Sequence, residues 1–159
     1  MVSPSFRDVR STGDAPHQRR SGGAFRRILV GFDGSDESKA ALRTAASLSG
    51  ELQGQVRVLL VVRPSARVET PEELALVAAA ERDSLSRELA DHGEVLGEQL
   101  DRRVVFTSDA ARALTQHAEQ HGFDLIVVGA PDGDGRADPG VVDAVHFLVE
   151  RPSCPVLVV

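Results

Sequence analysis

Short, nearly unbroken apolar runs are the feature of this sequence that most limits how it can fold. There are five: ILVGF at 28–32, VRVLLVV at 56–62, RVVF at 103–106, DLIVVG at 124–129 and PVLVV at 155–159. Strands buried on both faces have this composition, because each successive side chain meets a covering layer, as happens in parallel sheets under crossover helices. The runs therefore predict strands of a buried parallel sheet.

The segments between these runs have helical signals. We predict helices over 35–49, 70–100, 109–121 and 139–150. Ser35, Asp109 and Asp138 are suitable N-caps, and Thr70-Pro71-Glu72-Glu73 forms a capping box with proline at the first helical position. Gly50 and Gly122 are placed where helix ends are expected. Five strands and four helices in alternation predict an α/β fold with a doubly wound parallel sheet.

The first 27 residues differ in charge from the rest of the chain. They contain six arginines and two aspartates, which gives +4, so the remaining residues carry −10 of a net charge of −6. Residues 1–24 also lack apolar periodicity, and we interpret them as a disordered basic arm before a folded domain at 25–159. The acidic body argues against a nucleic-acid binder, because phosphate binding needs a basic face on the folded domain.

The sequence gives no sign of export or of a membrane. Cys154 is the only cysteine, so no intrachain disulfide can form. No apolar stretch approaches the roughly 20 residues that a membrane-spanning helix needs, and the N-terminal arginines are not followed by an apolar signal segment. We therefore expect a cytoplasmic protein with no membrane partner, with Cys154 buried in the core of the last strand.

Three segments together resemble a known family. RRILVGFDGSDESKAAL, HGFDLIVVGA and RPSCPVLVV occur in this order and are similar to signature segments of the universal stress protein family, over residues 26–159. The resemblance implies an adenine-nucleotide α-hydrolase-like fold with strand order 3-2-1-4-5. It also implies a non-enzymatic regulatory or scaffold role in stress response, and a homodimer formed through the terminal strand, here Pro155–Val159.

The resemblance also implies a nucleotide cleft. Family members that bind ATP have an acidic residue after the first strand, matched by Asp33, and use backbone near the end of the second strand, matched by Val62. Their G-x-x-G-x9-G-[S/T] phosphate loop would start here at Val128 and Gly129. For Asp33 an alternative stays open, because aspartate in this position commonly just forms the turn before a helix cap.

The phosphate loop departs from the family pattern. Counted from Gly129, Asp132, Val142 and Asp143 replace the family's second glycine, third glycine and Ser/Thr. A phosphate cradle needs inward N–H groups with no side chain in front of them, and Asp143 puts a carboxylate where we expect a hydroxyl at a helix start. We therefore predict weak or lost ATP binding and no required cofactor.

The same residues allow other interpretations. Gly133 or Gly135, with Arg136, could rebuild a phosphate loop and make the protein an ATP- or AMP-binding sensor. A hydrolase using the cleft is a further alternative, but no motif positions a nucleophile or general base, so we predict no catalytic residues. The acidic loop lacks an EF-hand pattern, and His117 and His121 share a helix face without a ligand motif, so no metal site is predicted.

Overall fold

The structure is a computed structural model that describes residues 25–62, 70–96, 100–131 and 139–159. Five strands and four helices alternate along it, as predicted. In chain order they are β1 (Arg27–Phe32), α1 (Asp36–Leu52), β2 (Gln55–Val62), α2 (Pro71–Leu96), β3 (Leu100–Phe106), α3 (Ala110–His121), β4 (Leu125–Val128), α4 (Pro139–Glu150) and β5 (Val156–Val158). The predicted disordered arm at 1–24 lies outside the described residues.

The strands form one parallel sheet in the order β3-β2-β1-β4-β5, which confirms the predicted strand order. β1 lies at the centre, with Val30 paired to Val58 of β2 and to Val127 of β4. The chain therefore winds outward from β1 in two directions. The order reverses between β1 and β4, which is where such sheets bind ligands at the carboxyl ends of their strands.

Successive side chains of each strand enter two separate cores. On one face α1 and α2 cover Ile28, Val30 and Phe32, while on the other α3 and α4 cover Leu29. All four side chains are almost completely buried. This two-sided burial explains why the strands are continuous apolar runs instead of alternating ones.

Side-chain caps set the helix starts. The Ser35 hydroxyl accepts the Ser38 N–H at 3.1 Å, and an Asp109 carboxylate oxygen accepts the Arg112 N–H at 3.0 Å. In the capping box, the Thr70 N–H donates to the Glu73 carboxylate at 3.0 Å and the Glu73 N–H donates to the Thr70 hydroxyl at 3.2 Å. Gly122 ends α3 with φ 65°. These sequence predictions are confirmed.

Two predicted boundaries were wrong. The first helix continues past Gly50 and ends at Gln53, which has φ 51°. The glycine close to this end is Gly54, which lies against the segment before β1, where a Cβ would be 3.1 Å from the Phe25 carbonyl oxygen. The second helix ends at Leu96 instead of residue 100, because residues 100–102 pair with β2 and lengthen β3.

Cys154 was also predicted wrongly. It lies just before β5 and is only partly buried, not in the core of the strand. Burial nevertheless raises the pKa of its thiol, so little reactive thiolate forms near neutral pH. Within the described part of the chain, no helix is long and apolar enough to cross a bilayer.

The start of β1 is held by a residue that comes much later in the chain. Asp124, just before β4, accepts the backbone N–H groups of Arg26 and Arg27 at 3.0 and 2.9 Å through its two carboxylate oxygens. Its own N–H donates to the Arg27 carbonyl at 2.9 Å. These three bonds join the amino ends of β1 and β4, just before Ile28 and Leu125, the first paired residues of the two strands.

Candidate functional site

The candidate site is a small cavity at the carboxyl ends of β1 and β4. It contains about 60 Å³, enough for a few water molecules. The β1 end, the first turn of α1, and the facing sides of α3 and α4 enclose it. The described residues that line it are Gly31, Phe32, Asp33, Ser35, Glu37, Ser38, Val61, Ala110, Leu114, Val128, Gly129, Ala144, Val145 and Leu148.

Asp33 is at the predicted place and shapes the turn that leads into α1. Its Oδ1 atom accepts the Ser35 N–H at 3.0 Å and the Ser35 hydroxyl at 2.5 Å. The Ser35 hydroxyl in turn accepts the Ser38 N–H, so it is engaged on both sides. The Oδ1 atom of Asp33 therefore forms the turn before α1, as the alternative interpretation predicted, and the Ser35 hydroxyl caps the helix.

Gly129 lies directly against the first turn of α1. A Cβ atom on Gly129 would be 2.4 Å from the backbone carbon and oxygen of Glu37, a distance that atoms not bonded to each other do not reach. The missing side chain therefore allows a strand-end loop and a helix to touch. This contact explains a glycine at position 129 without any phosphate.

The two valines take different positions. Val128 ends β4 and lines the cavity, as predicted for the cleft. Val62 is buried at the end of β2, and its carbonyl accepts the Thr107 N–H at 3.0 Å, so that acceptor already has a partner. It is the neighbouring Val61 that reaches the cavity.

The three substituted loop positions are spread over a loop and a helix. Asp132 lies outside the described residues, as do Gly133, Gly135 and Arg136. Val142 is the fourth residue of α4 and Asp143 is the fifth, with an exposed side chain. Only the first four N–H groups of a helix lack an internal partner, so Asp143 is not at the helix start as expected, and its N–H is engaged within α4.

Glu37 is the charged cavity residue that sequence reasoning missed. It is in the first turn of α1, where an acidic residue interacts favourably with the positive end of the helix dipole. Together with Asp33 it gives the described lining two carboxylates and no lysine or arginine. The signal was available, since the first helix of a parallel α/β fold starts at the same sheet edge as the strand ends.

His117 and His121 do share a face of α3, and their rings stack with centroids 4.2 Å apart. They lie at the end of α3 away from the cavity. Arg57 donates from a guanidinium nitrogen to His117 Nε2 at 3.2 Å and forms an ion pair with Asp101 at 2.6 Å. No group of three or more potential metal-binding side chains occurs among the described residues.

The partial burial of His117 should make stability depend on pH. Burial, followed by the charges of His121, Arg57 and Arg103, lowers the pKa of His117, and Asp101 opposes this only in part. An unfolded histidine titrates at about 6.5, so on acidification the unfolded chain gains its proton first. The stability that neutral His117 contributes is therefore fully present above about pH 7. It should fall as the pH drops through about 6.5 and level off below the pKa of His117 in the folded protein.

Urea unfolding from about pH 7.5 to about pH 5 tests this, with His117→Gln as the comparison. Glutamine keeps an acceptor for Arg57 but does not titrate, so its stability should decline less with acid than that of the unmodified protein. The difference should stay below the roughly 1.4 kcal/mol of a full pKa unit, because His117 is partly exposed and solvent screens it. If the stabilities of the variant and the unmodified protein declined equally with acid, His117 would not be the group responsible for the pH dependence.

Comparison with known proteins gives a consistent result. The model of the universal stress protein family matches residues 24–159. Universal stress protein YxiE of Bacillus subtilis is 29% identical over 147 residues, which covers 85% of this chain and 99% of the Bacillus protein. The structure of UspA from Lactobacillus plantarum superimposes with a TM-score of 0.72 at 25% identity, over 87% of this chain and 99% of that one.

A nucleotide complex is among the similar structures. A universal stress protein solved in complex with cAMP superimposes with a TM-score of 0.65, at 22% identity over 86% of this chain and 97% of that one. At this identity the similarity establishes the shared fold.

Proposed function

Because the chain belongs to the universal stress protein family, we propose that it is a cytoplasmic, non-enzymatic regulatory or scaffold protein of the stress response whose nucleotide cleft binds ATP weakly or not at all. The main observation that supports weak binding is the lining of the cleft, which includes Asp33 and Glu37 and, among the described residues, no lysine or arginine. A triphosphate carries several negative charges into that lining.

The volume of the cavity supports the same conclusion. Pockets that bind small molecules usually contain about 300–1,000 Å³, and this one contains about 60 Å³. The contact between Gly129 and Glu37 holds the loop after β4 against the first turn of α1, and Leu114 of α3 and Leu148 of α4 line the cavity beside it. A cavity of this size among the described residues supports the proposal that ATP binds weakly or not at all.

The electrostatic cost is large enough to matter. Two unit charges about 7 Å apart at an effective dielectric constant of about 20 repel by roughly 2 kcal/mol, which corresponds to about thirtyfold in affinity. Solvent reduces this for partly exposed groups, and about fivefold per carboxylate is a realistic expectation. Asp33 and Glu37 would both contribute.

Calorimetric titration with ATP and Mg²⁺, and separately with adenosine, tests the proposal. The unmodified protein should bind ATP with a dissociation constant well above about 10 μM. Glu37→Gln should strengthen ATP binding about fivefold and leave adenosine unchanged, because adenosine carries no charge. Glu51→Gln, an exposed change at the other end of α1, is the matched control. Tight ATP binding by the unmodified chain would contradict the proposal.

A second candidate is an adenine-nucleotide sensor with a rearranged loop. What favours it is the relative solved with cAMP, a nucleotide with a single phosphate. A monophosphate brings less negative charge into the cleft than ATP does, so the same lining would oppose it less. Titration with AMP and cAMP separates the two candidates, and a dissociation constant below about 10 μM for either nucleotide favours the sensor.

We also propose that the protein acts as a homodimer. β5 is an edge strand, and large apolar side chains are exposed on it, directly after it and on the adjacent α4: Val158, Val159, Phe147 and Val149. An unpaired apolar edge favours pairing with another chain, and a two-fold axis allows two copies of β5 to cover each other.

A further inference from the structure

A second concave surface, which we call the α3 groove, lies between β3 and one face of α3. It contains about 540 Å³, within the range of small-molecule sites. Asp109, Arg112, Ala113, Gln116, His117 and Gln120 follow one another at helical spacing and form one wall. β3 is the edge of the sheet, so within the described part of the chain no further strand extends past this groove.

The floor of the α3 groove is apolar. Leu59 is buried, and Val105 and Ala113 are partly buried and pack on the core beneath α3. The side chains of β2 and β3 that point to this face reach the groove, because no described element other than α3 covers this face at the β3 edge. A flat or extended apolar molecule could therefore lie on packed side chains here.

The charge of the α3 groove is opposite to that of the cleft. Arg103 and Arg112 both line it, and Arg103 is 63% exposed with only a distant Asp101 contact at 3.8 Å. Asp109 is the one carboxylate among the described lining residues, and its Oδ1 atom is engaged as the cap of α3. Guanidinium groups bind carboxylates, sulfonates and phosphates through paired hydrogen bonds.

We propose that the α3 groove binds a small amphiphilic organic anion. The apolar body lies on Leu59, Val105 and Ala113, and the acidic group contacts Arg103 and Arg112. Gln116 and Gln120 supply amide groups for polar atoms along the body. This site is independent of the cleft and of its nucleotide.

The fluorescent probe 8-anilinonaphthalene-1-sulfonate, an aromatic sulfonate, has the required chemistry. Titrated into the full chain, it should bind with one probe per chain. Arg103→Gln combined with Arg112→Gln should weaken binding at least tenfold, or about 1.4 kcal/mol, because both charged donors are lost. Arg26→Gln combined with Arg82→Gln removes the same charge at exposed positions outside the lining. The affinity of this control variant for the probe should stay within about twofold of that of the unmodified protein.

A mapping experiment locates the probe, because such dyes also bind exposed apolar surfaces like that of Phe147 and Val149. In nitrogen-15 correlation spectra, the side-chain amides of Gln116 and Gln120 should shift on titration, and Ala113→Leu, which fills the floor, should reduce these shifts. The proposal would be overturned if both double variants weakened probe binding equally or if Arg103→Gln with Arg112→Gln left the affinity unchanged. Chemical-shift changes confined to α4 would overturn it as well. Thermal melting of every variant verifies that the domain is folded.

Discussion

Gly129→Ala should lower the free energy of unfolding by about 3 kcal/mol, the upper end of the range for overpacking. The added Cβ would be 2.4 Å from the Glu37 backbone, and neither side can yield easily. The Ser35 cap fixes the first turn of α1, and the end of β4 is paired with both of its neighbours. Urea denaturation measures this loss as a lower midpoint concentration of urea, with the dependence of the free energy of unfolding on urea concentration unchanged.

Gly31→Ala is the matched control. Its Cβ would be 3.0 Å from a terminal methyl carbon of Leu114, and a side-chain end can move where a helix backbone cannot. We expect a loss below about 1 kcal/mol. Similar losses at both positions would show that the contact between Gly129 and Glu37 is not as tight as the structure has it.

Val158→Pro should convert the proposed homodimer to a monomer. The Val159 N–H donates to the Val128 carbonyl, and the Ala130 N–H donates to the Val159 carbonyl. Backbone groups alternate sides along a parallel strand, so the N–H and C=O of Val158 point away from β4 toward the open edge. Proline would remove an N–H that the protomer does not use but that pairing with a second β5 requires.

Sedimentation velocity at several protein concentrations measures this change, with Val158→Thr as the control, because threonine keeps both the N–H and the branched shape. The threonine variant should remain dimeric, and thermal melting should show that the proline variant is folded. A proline variant that sediments as a clean dimer would mean that the subunits associate through another surface.

The fold was predictable because its determinants are local. Apolar runs set the strands, and side chains such as Ser35 and Asp109 cap helices within three residues of themselves. Boundaries that depend on distant partners were not predictable. The start of β3 is set by its register with β2, and the end of α1 is set by the approach of Gly54 to the chain before β1.

The candidate site was predictable only as a location. Sequence reasoning found Asp33, Val128 and Gly129, which do meet at one edge of the sheet. It did not find Glu37, although the first turn of α1 was expected at this sheet edge; the backbone contact between Glu37 and Gly129 joins two elements and is not visible in the sequence. It also expected Asp143 at a helix start, whereas α4 begins four residues earlier, at Pro139.

The bonds between Asp124 and the start of β1 have a consequence for synthesis of the chain. β1 leaves the ribosome early, but the partner of Arg26 and Arg27 is Asp124, which follows them by 98 and 97 residues. Until β4 arrives, β1 can pair only with β2, and one side of what becomes the centre of the sheet stays unpaired. The nascent chain must therefore keep an apolar strand edge out of contact with other chains while most of the domain is still being made.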